Sequence, residues 1–142
     1  MNIKELSINE FDSVFSLLQE SDLQYSDLNK PGIRLFRFEE NNQFVGLGGL
    51  EIFGNLALLR SVAVRKDLQN NGLGTQIVGY IENVAKESGI STLFLLTTTS
   101  SDFFKTKGYQ SINRDDFAEP LKQTAQFTNL CPASAICMKK EL

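Results

Sequence analysis

Gln69-Asn70-Asn71-Gly72-Leu73-Gly74-Thr75 brings together residues that can hold an anion without a charged side chain. An apolar run precedes the segment and an amphipathic run follows it, which predicts a turn from strand to helix. The first N–H groups of such a helix are unpaired, and together with the helix dipole they attract phosphate. Gly72 and Gly74 carry no Cβ, so a pyrophosphate can approach the backbone. No Gly-Lys-Ser/Thr follows, which excludes a P-loop. Ile77 stands where the dinucleotide fingerprint needs its third glycine. The competing reading is a tight turn that binds nothing.

Glu51 and Arg60 form the second candidate. Arg60 interrupts the β-rich run Leu56 to Arg65, a strand expected near the centre of a sheet, where charge is rare. Gly54-Asn55 suits a two-residue type II′ hairpin, which sets Phe53 opposite Leu56, Glu51 opposite Leu58 and Gly49 opposite Arg60. Glu51 is then the diagonal neighbour of Arg60. Simple alternation puts Arg60 on one face with Leu58, Val62 and Val64. The pair reads in two ways. One is a structural ion pair on a solvated part of the sheet. The other is an acceptor pocket, with Arg60 holding an anionic group and Glu51 taking a proton.

Other chemistries are excluded by composition. The 142 residues include no histidine, which removes Ser-His-Asp hydrolysis, imidazole proton shuttles and His-based metal sites. The net charge of −3 and a pI near 5.0 argue against a nucleic-acid footprint. No apolar run approaches the roughly 20 residues of a membrane span, and Met1 to Glu5 carry no secretory core. Two cysteines, Cys131 and Cys137, read as small buried hydrophobes and make a disulfide scaffold improbable. The expected setting is the cytoplasm. Apolar residues at 42% and charged residues at 22% fit one globular domain over 1–142.

The elements that must position these residues alternate in type. A short strand is expected at Ile3 to Leu6. Ser7-Ile8-Asn9-Glu10 has the form of a capping box, and Ile8, Phe11, Val14, Phe15 and Leu18 recur at helical spacing behind it. Strands are predicted at Ile33 to Glu39 and Phe44 to Phe53, with Asn41-Asn42 as the turn. A helix over 74–88 buries Leu73, Ile77, Val78, Ile81, Val84 and Ala85, and Gly89 ends it. Thr92 to Thr97 is a strand buried on both faces. A short helix from Ser101 to Lys107, a strand from Tyr109 to Ile112 and a helical piece from Phe117 to Gln126 come next. Ala133 to Lys139 is expected to close the sheet. The unit 58–65, 74–88 and 92–97 is a right-handed crossover between parallel strands. The expected class is α/β in the α+β sense, a mixed and mostly antiparallel central sheet flanked by helices.

Gln-x-x-Gly-x-Gly at Gln69 to Gly74, between a strand and a helix, resembles motif A of the GNAT superfamily of acetyl-coenzyme A dependent N-acetyltransferases. Phe103-Phe104-Lys105-Thr106-Lys107-Gly108-Tyr109 is similar to that family's F-Y-x-K-x-G-F segment. Within the superfamily, Leu58 to Ser61, Leu95 to Thr99 and Gln126 through Ala135 resemble the arsenic-resistance N-acetyltransferase branch. The resemblance implies the GNAT acyl-CoA N-acyltransferase fold, acetyl-CoA as co-substrate, no metal, and a small-molecule amine acceptor that is an amino-acid-like or organoarsenical compound. It also implies that the Val62, Ala63 and Val64 backbone pairs with the pantetheine arm like an added strand. Gln69 belongs to the loop motif, and the amides of Asn70, Asn71, Gly72, Leu73, Gly74 and Thr75 hold the pyrophosphate. Thr97 stands where the family usually has asparagine. Phe104 replaces the tyrosine that protonates the departing thiolate. The family's acceptor side lies near Phe36 and Phe38, which makes them candidates for a substrate wall, and the arsenic-linked branch makes a thiol ligand for a soft metalloid conceivable. Monomer and homodimer both stay open. Two further readings compete with the enzyme: a module that binds acyl-CoA without turnover, suggested by Phe104, and a thiol-based arsenical binder.

Overall fold

The computed structural model describes residues 1–21, 23, 25–28, 32–125, 127–128 and 134–142. Gln126 and the Cys131 to Ala133 segment named above lie outside the described residues. Seven strands form one sheet: β1 Asn2–Glu5, β2 Ile33–Glu40, β3 Gln43–Phe53, β4 Leu56–Val64, β5 Thr92–Thr97, β6 Gln110–Ile112 and β7 Ile136–Glu141. Their spatial order is β1-β2-β3-β4-β5-β7-β6. Only β4 and β5 pair in parallel; the other neighbours are antiparallel. Among the described residues four α-helices accompany them: α1 Phe15–Glu20, α2 Leu73–Glu87, α3 Ser101–Thr106 and α4 Glu119–Lys122. None of the described helices is long and apolar enough to cross a membrane.

The turns follow local chemistry. Asn41 and Asn42 both have positive φ, 51° and 64°, as a type I′ turn requires. At Gly54 φ is +62°, and Asn55 is not in the left-handed region, as in the expected II′ turn. The hairpin register is the expected one: Phe53 faces Leu56, Glu51 faces Leu58 and Gly49 faces Arg60. At the end of α2, Ile90 N–H bonds Ala85 C=O at 2.9 Å and Gly89 N–H bonds Lys86 C=O at 3.1 Å, the paired bonds of a Schellman cap.

One face of the sheet carries α2. Leu73, Ile77, Val78, Ile81 and Ala85 are buried on it, each large aliphatic contributing about 1.5–3 kcal/mol. The helix sits very close because β3 offers glycines beneath it. A Cβ at Gly46 would come 2.6 Å from Ile77, and one at Gly48 2.9 Å from the same side chain. On the opposite face, Leu6, Phe11, Val14, Leu18, Leu35 and Leu47 form one cluster. Leu58, Phe94, Phe117, Leu121 and Cys137 form another.

Several expectations need correction. The capping-box segment opens a 3-10 turn, Ile8–Val14, before α1. Ser7 N–H does donate to Glu10 Oε1 at 3.0 Å. Three residues per turn rotate Ile8 off the apolar face, and it is 59% exposed. The last strand does not close the sheet: β7 inserts between β5 and β6, leaving β6 as the edge. Phe36 and Phe38 line no substrate wall. They are buried under α2 with their rings edge-on to Tyr80, at 5.7 and 5.6 Å.

Candidate active site

β4 and β5 pair only from Leu56↔Thr92 to Leu58↔Phe94. Beyond that point β4 runs on along β3 to Val64 while β5 stays with β7 to Thr97. The strands therefore part, and the gap is a cleft of about 820 Å³ lined by 58–64, 68–70, 72–75, 95–100 and Phe103-Phe104, with Ser21 and Leu23 at one side.

A bulge in β4 shapes the wall. Ser61 adopts φ +59°, a left-handed conformation that costs a non-glycine residue about 1–2 kcal/mol, and the β3–β4 register shifts between Leu47 and Gly49. The extra residue reverses the alternation. Val62 and Val64 pack with the α2-side core and Ala63 with the opposite cluster. Arg60 therefore does not share its face with Val62 and Val64 as simple alternation suggested; it stays with Leu58 and Ala63. The bulge also fixes what the main chain presents. Arg65 N–H donates to Val45 C=O at 3.0 Å, so Gly46 and Val64 form a non-hydrogen-bonded pair. The N–H and C=O of Val64 then point away from β3, toward the cleft that Val62 and Ala63 also line. Gln69 Nε2 donates to that Val64 carbonyl at 3.2 Å.

The glycine loop closes the cleft at the N-terminus of α2. Asn70 has φ +69°, and Asn71 Nδ2 donates to Leu68 C=O at 3.1 Å, so the asparagines hold the loop locally. Gly72 has φ +81°, a conformation few other residues accept, and its C=O takes the first intrahelical bond from Gln76 N–H at 3.2 Å. The N–H groups of 73–75 precede that bond and stand at the positive end of the dipole. Gly74 has a packing reason as well: a Cβ there would meet the Phe103 ring at 3.3 Å.

Across the cleft, Thr97 Oγ1 accepts the Ser100 N–H at 3.0 Å and anchors the entry to α3. Phe104 is 8% exposed, and its ring can give no proton. The nearby phenol does not replace one. Tyr109 OH donates to Glu82 Oε2 at 2.8 Å, and burial with the Glu82 charge pushes its pKa well above the ordinary phenol value. Lys140 Nζ completes that network on Glu82 at 3.0 Å.

Arg60 is where the sequence reading was incomplete. Its guanidinium takes both oxygens of Asp27 at 2.6 Å each, Glu51 Oε1 at 3.2 Å and Ser61 Oγ at 3.3 Å. The side chains of Arg60, Asp27 and Glu51 are 1%, 3% and 6% exposed, so this is no ion pair on a solvated face. Arg60 reaches the cleft wall, and Glu51 is not among the residues that line it. The two terminal nitrogens that would grip an anionic acceptor are already bonded to Asp27. Asp27 escaped the sequence reading because 33 residues separate it from Arg60. One signal was available: five guanidinium N–H donors need more than a single diagonal carboxylate.

No three His, Cys, Asp or Glu side chains among the described residues are grouped to hold a metal. Burial raises the Cys137 pKa, partly offset by Arg114, which makes it a poor thiolate ligand.

A model of the acetyltransferase (GNAT) family matches residues 2–109. The chain belongs to the GNAT acetyltransferase family. Over 82 residues it is 39% identical to an uncharacterized N-acetyltransferase of Chlorobaculum tepidum, covering 58% of this chain and 50% of that one. Over 86 residues it is 30% identical to the amino-acid acetyltransferase of Neisseria meningitidis, covering 57% of this chain and 19% of that one. The chain thus spans about half, or less, of the length of these GNAT relatives. Among solved structures, N-acetylglutamate synthase from Neisseria gonorrhoeae, complexed with coenzyme A and L-arginine, superposes with a TM-score of 0.80 at 20% identity, over 99% of this chain and 33% of that one. An aminoglycoside 6'-N-acetyltransferase complexed with coenzyme A gives 0.71 at 17% identity, over 99% and 97%. These likenesses establish the GNAT fold.

Proposed function

We propose that this chain transfers the acetyl group of acetyl-CoA to the primary amine of a small molecule of amino-acid character, amine-bearing organoarsenicals included. The observation that carries the reading is the cleft between β4 and β5, with a stretch of β4 that β5 does not pair on one wall and a helix N-terminus at its end. Pantetheine adds to the Val62–Val64 edge as a short strand, and the pyrophosphate meets the amides of 70–75. The acetyl carbonyl then lies near Val62, whose N–H supports the oxyanion. The amine nitrogen attacks the carbonyl carbon, the C–S bond breaks, and coenzyme A leaves as a thiol. Glu51, in contact with Arg60 at 3.2 Å, is the base in this reading and takes the ammonium proton through a water at the Arg60 wall. A thiol pKa near 8.5 lets the thiolate leave and take its proton from solvent, so Phe104 slows this step without preventing it. The amino-acid acetyltransferase relative supports the acceptor class.

The test is thioester consumption with acetyl-CoA and a panel of amines (L-glutamate, other amino acids, an organoarsenical amine, a polyamine and an aminoglycoside), with product mass detection. Acetylation of an amino-acid-like amine is expected. Phe104 favours a second reading, an acyl-CoA sensor without turnover. Tight CoA binding with no product from any amine establishes that reading and ends the first.

A further inference from the structure

We infer that Asp27 is a positioning residue of the acceptor end: its pairing with Arg60 clamps the segment after α1 against β4 and sets the cleft wall that carries Ser21 and Leu23. The inference rests on the acetyl-transfer reading and deepens it.

The segment is held at both ends. Ser21 N–H bonds Leu17 C=O at 3.0 Å and Leu23 N–H bonds Leu18 C=O at 2.9 Å, which ties its start to α1. Further on, the Tyr25 ring packs on Phe15 with centroids 4.9 Å apart, and Leu28 is buried under the sheet. Between these apolar anchors Asp27 turns inward and meets the buried guanidinium of Arg60 with both oxygens. Two parallel charge-assisted bonds fix orientation as well as distance. Apolar contacts alone allow the segment to slide; the bidentate pair does not.

The wall so placed has an unmet need. Ser21 Oγ is fully buried and has no hydrogen-bond partner among the described residues, although Ser21 lines the cleft. Buried hydroxyls are nearly always paired. A polar group of an acceptor entering beside Leu23 satisfies it. Asp27 also occupies the Arg60 fork with both of its oxygens, which leaves little of it for an acceptor carboxylate, so selectivity leans on the wall that the clamp sets.

The experiment is steady-state kinetics on the full chain, with L-glutamate as first acceptor probe and the rest of the panel after it, alongside calorimetry with CoA. Asp27→Asn keeps the volume and removes the charge. It is expected to raise acceptor KM roughly tenfold, as misplacement at a reacting site does, while CoA Kd stays within about twofold. Ser21→Ala touches neither the ion pair nor the CoA loop. It is expected to raise acceptor KM severalfold at an unchanged melting temperature, and it serves if Asp27→Asn fails to fold. The inference is overturned if Ser21→Ala keeps the wild-type KM. It is equally overturned if folded Asp27→Asn loses stability alone. A wild type that binds CoA and acetylates no amine overturns the function and the inference together; turnover with unmoved KM in the variants overturns the inference alone.

Discussion

The two ends of the cleft are built from different material. The α2 end is main chain: a strand edge at Val62 and Val64, a glycine loop and three helix N–H groups, with side chains such as Gln69 and Asn71 serving mainly to hold the backbone in shape. The other end is side chain, a buried cluster of Arg60, Asp27 and Glu51 with the Ser61 hydroxyl bonded to it, and Ser21 elsewhere on the cleft lining. Main chain presents the same groups whatever the residue, so that end tolerates substitution wherever φ is respected and no Cβ is crowded, as one at Gly74 would be by Phe103. The side-chain end tolerates little, because every charge in it depends on its partner.

Substitutions at either end should expose that difference, and the largest effect belongs to the side-chain end. Arg60→Ala leaves two carboxylates facing each other without their cation. Loss of a buried partner of this kind costs about 3–5 kcal/mol, so the denaturant midpoint should fall steeply. CoA affinity of the folded fraction should persist; if it falls in parallel with stability, the two ends are one unit.

Gly72→Val attacks the other end. A β-branched residue at φ +81° is strained by about 1–2 kcal/mol, and the loop shifts to relieve it. Calorimetry should show CoA binding weakened at least tenfold, as a rough expectation from displaced amide donors. Equal affinity in wild type and variant would remove the loop from the binding site.

Phe104→Tyr is gentler. It adds a phenol at a buried, cleft-lining position with little change of shape, and kcat should rise severalfold with an altered alkaline limb. A flat response assigns the proton to solvent.

The smallest effect lies outside both ends. Lys4 and the Ser7 N–H hold the Glu10 carboxyl down to about 2. A depressed folded-state pKa contributes stability above the unfolded value near 4.5, and that contribution is lost as pH falls toward 2. Glu10→Gln should therefore narrow the stability difference between neutral and acid solution, more at low salt than at high. The group is exposed, so the change should be slight, and neither CoA nor acceptor kinetics should move.

The same division of material explains what could be read in advance. The glycine loop, the Gly54 hairpin and the Gly89 cap are local, decided by neighbours within a few positions, and the sequence carries them openly. The register that brings Glu51 beside Arg60 follows from the hairpin alone. Ser61 is different. Nothing in Leu59-Arg60-Ser61-Val62 announces a left-handed serine; the bulge arises where β4 fits between the glycines of β3 and the ion cluster, a tertiary compromise. Asp27 is invisible for a similar reason, since its segment reaches Arg60 only after α1 and β4 are packed. Phe36 and Phe38 were misassigned because alternation shows that one face is apolar and does not show which element covers it.

The insertion of β7 between β5 and β6 has a consequence for the order of assembly. During synthesis from the N-terminus, β2, β3 and β4 can pair as two successive hairpins with β1 added at the β2 edge, and β5 can dock against β4 once α2 has formed. β6 then emerges with no strand beside it, and the outer edge of β5 stays open, until residues 136–141 slide between them. The β5 side of the cleft is therefore the last to become rigid. A nascent chain can carry a finished glycine loop while the opposing wall still lacks the strand that holds it upright.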